Sequence, residues 1–480
     1  MTNVGITSIG AYIPYYSMDR NMIARAWGAR GLKGERSMAN SDEDSVTMAV
    51  EAAIDCFRFV DRNDIGALYF ASTTAPYAEK SHASLIATVC DLSHDVFTTD
   101  FANSMRSGTS ALKAAVDAVL AQSSGQALVT AADCRNGYPK SSQEQLFGDA
   151  AAAVVIGTEN VIAEVVCFST VNNEITDVWR NSQEKFINNA EQRFVTEKGY
   201  MTAMSLAVKD ALKKAGLAQE DISKVVFTSP GFKENLQLAK KLGFNEIQVQ
   251  DNLMMNVGDC GTAQPLLLLA AALEEAKPDD RILLASYGNG ADVFVFTVTS
   301  NINMIKRMPT LHKYLENRKK FEDYGRFLSF RGILTAVPGE PFKIPASTAM
   351  YWREQDTYLR FMGSKCTKCG AEIFPVNRVC HQCGAKDEYE IVCKSGKTAK
   401  VFTYSIDKLA GRSDDPVVVQ TVAEDQEGVR YYLNMTDFEQ SEIKVGMDVE
   451  FTFRKINTLG DFNNYYWKFR PIRKHGGVEL

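Results

Sequence analysis

Nowhere does the sequence hold an uninterrupted apolar run of membrane-spanning length; the stretch "PLLLLAAALEEAK" acquires charges too soon. A charged-then-apolar leader is missing as well. The opening "MTNVGITSIGAYIP" reads as a first strand, so the expectation is a cytoplasmic protein. There is no surplus of positive charge: the formal net charge is −6, which argues against bulk binding to nucleic acid or anionic membrane. The cysteines do not form a disulfide pattern. Of the ten, four cluster between Cys366 and Cys383. The other six (Cys56, Cys90, Cys134, Cys167, Cys260 and Cys393) are scattered among apolar or small residues. That distribution fits a reducing compartment with one metal site. What remains is ordinary for a globular chain, with 45% hydrophobic and 23% charged residues over a length of 480. This is enough for two or three domains.

The first 300 residues or so alternate short apolar runs with amphipathic ones. "GALYFAS", "QALVTAAD", "AAAVVIG", "KVVFTSP", "RILLASYG" and "DVFVFTVT" read as strands. "SVTMAVEAAIDCFRFV", "ALKAAVDAVLAQ", "MTAMSLAVKDALKKAG" and "AQPLLLLAAALEEAK" read as helices. This is the pattern of α/β layers with sheets buried on both faces. An internal repeat underlies it. Residues 103–137 lie on residues 256–290 without a gap, matching Asn103 to Asn256, Gly108-Thr109 to Gly261-Thr262 and Asn136-Gly137 to Asn289-Gly290. A looser match, "DIGALYFAST" against "DISKVVFTSP", precedes it. The expectation is two copies of one α/β unit about a pseudo-twofold, residues 1–165 and 166–335, each with its own sheet.

Beyond this the character changes. "MIKRMPTLHKYLENRKKFEDYGRFLSFRGIL" is charge-rich and predicted helical, and the proline-rich stretch at 336–350 reads as a linker. Residues 351–390 combine a short helix with Cys366-Thr-Lys-Cys369 and Cys380-His-Gln-Cys383. Two Cys-x-x-Cys knuckles, each followed by Gly (Gly370, Gly384), predict a closed four-thiolate structural Zn²⁺ site. A redox dithiol, an iron–sulfur site or a metal-free ribbon are the alternatives, and His381 reads as solvent-exposed. In 391–480, five alternating runs with Gly and Asp turns predict a small OB-type β-barrel.

At "NSMRSGTSAL" a Gly-containing turn joins a strand-like run to a helix-like one, a common place to present a nucleophile. It offers Ser104, Ser107 and Thr109, but no Cys, Glu or His between Asn103 and Thr109. The surrounding pieces "VGITSIGAYIPYY", "ASTTAPYAEKSHA", "LFGDAAAAVVIG", "TDVWRNSQEKFINNAEQRFVTEKGY" and "VGDCGTAQPLLLLAAALEEAKPDDRILLASYGNGADVFVF" resemble hydroxymethylglutaryl-CoA synthases of the archaeal type, in the thiolase superfamily. The segment with Trp179-Arg180 and Arg193-Phe194 discriminates best. The C-terminal part resembles the zinc-ribbon/OB-fold module associated with acyl-CoA enzymes. The resemblance implies a thiolase-like fold, a CoA thioester as substrate or ligand, a homodimer through the core and a separate thiolase subunit as partner.

It also implies a Glu base, a Cys nucleophile and an oxyanion-site His. Their positions fall on Thr73, Met105 and Thr228. A thioether has no proton to lose and forms no acyl-enzyme by this route, and Thr replaces neither a carboxylate base nor a His. Weaker candidates are Cys260, the repeat partner of Ser107 and either a relocated thiol or packing; Asn256 and Asn289 on cleft loops; and Arg106 and Lys80 toward the CoA or acyl group. His82 reads as a surface loop residue, Cys90 and Cys134 as core, and "GDAAAAVVIG" as structural. Two functional readings follow. One is a synthase-like subunit of a thiolase-type complex. The other is a stand-alone acyl-CoA aldolase, C–C lyase or acyltransferase without an acyl-cysteine, with Thr73, Ser104, Thr228, Ser229, Tyr287 and Asn256 as possible donors. A structural or regulatory CoA sensor is a third class.

Overall fold

The structure, a computed structural model, describes residues 3–307, 311–335 and 347–473; most of the 336–350 linker lies outside the described residues. The first half contributes strands β1 (Gly5–Tyr12), β2 (Ile65–Ala71), β3 (Phe97–Phe101), β4 (Gln126–Asp133) and β5 (Ala150–Gly157). The second contributes β6 (Ala163–Asn172), β7 (Lys224–Phe227), β8 (Arg281–Tyr287) and β9 (Gly290–Val298). From the centre outward the first half runs β1-β5-β4-β2-β3 and the second β6-β9-β8-β7, so each half has the same internal order. The counterpart of β3 in the second half is reduced to one parallel bridge, Val225 to Val249.

The two sheets are not separate, in contrast to the expectation from sequence. Antiparallel pairing of Gly5 with Glu164 and of Ile6 with Ala163 joins them into one nine-stranded sheet. The physical reason is that β1 and β6 are the inner-edge strands of their halves, and pairing them leaves no unsatisfied backbone edge inside the molecule.

Helices α1 (Ser45–Cys56), α2 (His82–Val89) and α3 (Ser107–Leu120) belong to the first half, and α4 (Met201–Ala215), α5 (Glu234–Leu242) and α6 (Gln264–Glu275) to the second. The leucine run, read as a helix, is α6, which is buried from Gln264 through Leu273. The paired helices α3 and α6 meet at their N-termini. A Cβ on Gly108 would come within 2.3 Å of the Thr262 carbonyl oxygen, so only glycine permits this approach. The contact is reciprocal. Thr109 donates to Asp292 of the second half at 2.9 Å, and Thr262 donates to Asp133 of the first half at 2.9 Å.

The region read as one charge-rich helical stretch is broken up. Short helices His312–Glu316 and Tyr324–Phe330 flank a two-residue strand, Lys319–Lys320, which pairs with Tyr16 and Ser17. Tertiary pairing overrides local helix preference here. The leader into the ribbon is two short helices, Thr348–Arg353 and Gln355–Tyr358. Strands β10 (Thr398–Asp407), β11 (Val418–Asp425), β12 (Arg430–Met435), β13 (Asp448–Leu459) and β14 (Phe462–Pro471) close a barrel in the order β10-β11-β12-β14-β13.

The barrel packs on the first half through buried charge. Arg454 on β13 pairs with Glu43, with Asp437 at 2.8 Å and with the Tyr12 hydroxyl at 3.0 Å. Arg470 pairs with Glu51 on α1 at 2.7 Å, and Lys468 with Asp42 at 2.8 Å. No helix among the described residues is long and apolar enough to cross a membrane.

Candidate functional site

The carboxyl ends of the parallel strands converge on one cavity of about 150 Å³. Thr228 and Ser229 follow β7, Tyr287 ends β8, Arg135 follows β4, and Met105 lies in the turn that opens α3. That is where open α/β sheets bind ligands. A small hairpin, Val178–Trp179 against Asn188–Asn189, closes one side and brings Asp177 to the lining. Leu146, Phe147, Val178, Val195 and Pro230 make much of the wall apolar. Among the described residues, no cysteine, histidine or glutamate lines it.

Met105 and Thr228, read from sequence as the nucleophile and His positions, thus face one cavity. Thr73 is not in the lining. Its hydroxyl donates to Asp133 at 3.1 Å, and its carbonyl accepts from Arg180 at 2.7 Å. Thr228 accepts the Tyr287 N–H on its hydroxyl oxygen at 3.1 Å, and its carbonyl accepts the Tyr200 hydroxyl. Ser229 donates to the Gly231 carbonyl at 2.6 Å, and Ser104 accepts the Arg106 N–H at 3.2 Å.

Cys260 lies in the core, fully buried beside the Gly258 carbonyl. Burial, reinforced by Asp259, pushes its thiol well above the usual range, so the packing alternative describes it. Asn256 is exposed on the outer side of its loop, with its carbonyl held by Arg318. Asn289 adopts a left-handed turn conformation and donates to the Ile175 carbonyl. Arg106 clamps the two halves. It donates to the Gly288 and Asn289 carbonyls and pairs with Asp292 at 2.9 Å, so protein acceptors engage its guanidinium. Lys80 is exposed, 6.0 Å from the Tyr77 ring centre. His82 corrects the sequence reading. It is buried at the start of α2, with Nδ1 2.8 Å from Asp100 and Nε2 accepting the Tyr77 N–H, because the helix start folds under the loop.

The three charged lining residues, Asp177, Arg135 and Asp259, were not nominated from sequence. Asp177 is buried and its carboxyl lies above the ordinary range. Burial is the main cause, and the Val178 N–H and Arg135 oppose it. Arg135 pairs with Asp259 at 2.9 Å and lies over the Phe147 ring at 4.2 Å, with Nε buried and unpartnered among the described residues. The Tyr287 hydroxyl is likewise buried without a hydrogen-bond partner among the described residues. It fills a notch over Gly199, in the π-helical turn Val195–Tyr200, where a Cβ would come within 2.2 Å of the phenol oxygen. The one available signal was position: Asp177 lies in the "TDVWR" segment, and Arg135 just past a strand's carboxyl end.

The second site is the ribbon. The four sulfurs of Cys366, Cys369, Cys380 and Cys383 lie within 4.8 Å of one another, with Cys366–Cys383 at 3.7 Å and Cys369–Cys380 at 3.5 Å. Zn–S bonds of about 2.3 Å in a tetrahedron give sulfur separations near 3.8 Å, so the donors fit zinc. Gly370 and Gly384 close the knuckles with φ of +76° and +70°. His381 is exposed and outside the cluster. Cys380→Ser is expected to abolish stoichiometric zinc and make residues 366–383 sensitive to protease. Atomic absorption and limited proteolysis measure this, and a variant that retains full zinc would contradict the four-thiolate site.

Comparison with known proteins agrees with this geometry. Residues 212–299 match the family described as 3-oxoacyl-[acyl-carrier-protein] synthase III C terminal, and residues 359–390 match the ChsH2 rubredoxin-like zinc ribbon domain. The chain is similar to the crystal structure of HMG-CoA synthase complexed with CoA, at TM-score 0.61 and 19% identity, covering 67% of this chain and 88% of that one. It is also similar to the HMG synthase of the curacin biosynthetic pathway in complex with acetyl donor-ACP, at TM-score 0.61 and 18% identity, covering 82% of this chain and all of that one. The fold is thiolase-like, joined to a zinc ribbon and a closed five-stranded barrel. In sequence the chain is 33% identical to the hydroxymethylglutaryl-CoA synthase of Picrophilus torridus, over 69% of this chain and 97% of that protein. It is 33% identical to that of Archaeoglobus fulgidus, over 69% of this chain and the full length of the relative. It belongs to the hydroxymethylglutaryl-CoA synthase family.

Proposed function

We propose that this chain binds an acyl-CoA thioester in the Met105 cavity and is the synthase-like component of a thiolase-type system for Claisen, retro-Claisen or related C–C chemistry. A separate thiolase subunit supplies the reactive cysteine. The observation that carries this reading is the lining itself: the turn before α3 delivers a thioether, and no thiol, imidazole or glutamate lies around it among the described residues. Covalent acyl transfer needs a thiolate that attacks the thioester and later departs. A related fold holding CoA supports a thioester ligand, and the zinc ribbon with its barrel supports a bridging role toward the partner. The open edge of β3, where Phe97 is 60% exposed, supports a homodimer through the core.

Intact-mass spectrometry after incubation with acetyl-CoA is expected to show no acyl adduct on this chain. Affinity purification from the source cells is expected to bring down a thiolase whose own cysteine becomes acylated. A stoichiometric adduct on the isolated chain would overturn the reading. A second reading, a stand-alone aldolase, C–C lyase or acyltransferase working without an acyl-cysteine, is favoured by two polar atoms in the lining that have no partner among the described residues, Tyr287 Oη and Arg135 Nε.

A further inference from the structure

The donors that sequence offered for non-covalent chemistry do not survive the structure equally. The Thr73 and Ser229 hydroxyls donate to protein oxygens, Ser104 and Thr228 are anchored as acceptors of backbone N–H groups while keeping their own O–H to give, and Asn256 is exposed. Of these candidates, Tyr287 alone presents a buried hydroxyl with no hydrogen-bond partner of either kind among the described residues. A buried polar atom without a partner costs about 1–3 kcal/mol, so a folded protein that keeps one in a cavity lining has a use for it. The local backbone is shaped around it. Glycine at 199 makes room for the phenol oxygen, and the Tyr200 ring holds the Tyr287 ring edge-on at 5.6 Å. Arg135 Nε is the second buried, unpartnered atom of the lining, on a guanidinium whose charge Asp259 balances. Asp177 completes the set. Its carboxylate is the charge that most influences the Tyr287 hydroxyl, although no hydrogen bond of acceptable geometry joins them.

We propose that this cavity makes and breaks the Cα–Cβ bond of β-hydroxyacyl thioesters by aldol chemistry, with Asp177 as the proton-transfer group and Tyr287 Oη–H and Arg135 Nε–H as donors to the enolate oxygen. In the cleavage direction the Asp177 carboxylate takes the β-hydroxyl proton. The C–O bond becomes a carbonyl as the Cα–Cβ bond breaks, and that electron pair passes into the thioester as an enolate. Tyr287 and Arg135 hold the negative oxygen, and Asp177 returns the proton to Cα. The products are an aldehyde or ketone and a shortened acyl thioester, with no oxidant, reductant or water consumed. In the reverse direction the same carboxylate removes an α-proton from the acyl thioester. Burial holds the Asp177 carboxyl above the ordinary carboxylate range, which makes it a better proton acceptor than an exposed carboxylate. Donors fixed in a dry site are the largest single source of enolate stabilisation.

The inference rests on the reading that a CoA thioester occupies the cavity, and the two are separable. Calorimetry with CoA measures binding, and α-proton exchange of acetyl-CoA and propionyl-CoA in D₂O, followed by NMR, measures enolate formation. The full-length chain is expected to bind CoA and catalyse exchange. It is also expected to convert 3-hydroxybutyryl-CoA to acetaldehyde and acetyl-CoA. Asp177→Asn, which retains an oxygen for the Val178 N–H, is expected to slow exchange by at least about 100-fold. Tyr287→Phe, which keeps the ring against Tyr200, is expected to slow it by on the order of 100-fold. Both variants should bind CoA within a few-fold of the parent. CoA binding without exchange, or exchange undiminished in Asp177→Asn, would overturn the aldol proposal and leave the thioester reading standing. Absence of CoA binding would overturn both.

Discussion

Asp133→Ala is expected to yield a chain that does not reach a soluble folded state. Asp133 is fully buried at the end of β4, where the two halves meet. Its Oδ1 accepts from the Ser72 hydroxyl at 3.1 Å, the Thr73 N–H at 2.8 Å, the Thr73 hydroxyl at 3.1 Å and the Thr74 hydroxyl at 2.8 Å. Its Oδ2 accepts from the N–H and hydroxyl of Thr262 at 2.8 and 2.9 Å. Alanine leaves the buried Ser72 hydroxyl and Thr262 N–H and the part-buried Thr73 and Thr74 donors without this acceptor, while the Thr262 hydroxyl keeps the Ala71 carbonyl at 3.2 Å. With each orphaned group costing about 1–3 kcal/mol, the loss exceeds the 4–5 kcal/mol that marks an exceptional substitution. It also removes the second half's hold on the first at the α6 N-terminus, so the damage is not confined to a loop.

Asp133→Asn is the informative control. It keeps the shape but turns an amide group onto donors that need an acceptor, and it is expected to fold poorly as well, with a markedly lowered melting temperature. Soluble yield and thermal unfolding by circular dichroism measure both. Asp133→Ala melting within a few degrees of the parent would contradict the central role given to this carboxylate.

That carboxylate shows where the sequence stops being legible. The Gly-Thr pairs at 108–109 and 261–262 stood out because close helix approach is a local constraint that repeats in both halves. Their acceptors did not, because Asp133 and Asp292 do not occupy equivalent repeat positions. The Cys knuckles and the alternating strands of the barrel were legible for the same reason: spacing along the chain dictates them. The helix of α6 was legible too, though its burial all round was not. The cavity was only partly visible. Met105 and Thr228 were placed by resemblance, whereas Asp177 and Arg135 arrive from a hairpin and a strand end far apart in the chain. Tyr287 was one hydroxyl among several. What distinguishes it is the lack of a partner, a property of the packed state that no residue pattern encodes. His82 was misplaced for a related reason, since a polar loop-like sequence does not reveal what folds over it.

The charged interface between barrel and first half gives the other large expectation, and its sign can be worked out. Glu43 is buried, and burial outweighs the attraction of Arg454, so its carboxyl is pushed up to about 7 from an ordinary value of 4.5. Between these values the folded state binds the proton and the unfolded chain does not. The stabilisation from this group is therefore complete below about pH 4.5 and is lost as pH rises through about 7. Asp42 is also buried, but Lys468 and Arg454 hold it below the ordinary range, so its own titration falls at lower pH than this window.

Glu43→Gln stays neutral at every pH and keeps an acceptor for the Asn40 N–H. It is expected to flatten the decline of stability between pH 4.5 and 7 by up to about 3 kcal/mol. Arg454→Ala acts in the opposite sense. It leaves Glu43 without its buried counter-charge, Asp437 with Arg473 alone and the Tyr12 hydroxyl without its donor, and is expected to lose about 3–5 kcal/mol at pH 7. The first consequence should be release of the barrel, seen as new protease cleavage around residues 391–400, before the thiolase-like core unfolds. Urea unfolding followed across pH tests the pair. Parallel stability curves for the parent and Glu43→Gln would show that Glu43 carries no such proton. An Arg454→Ala chain as protease-resistant as the parent would show that the buried charges do not hold the barrel in place.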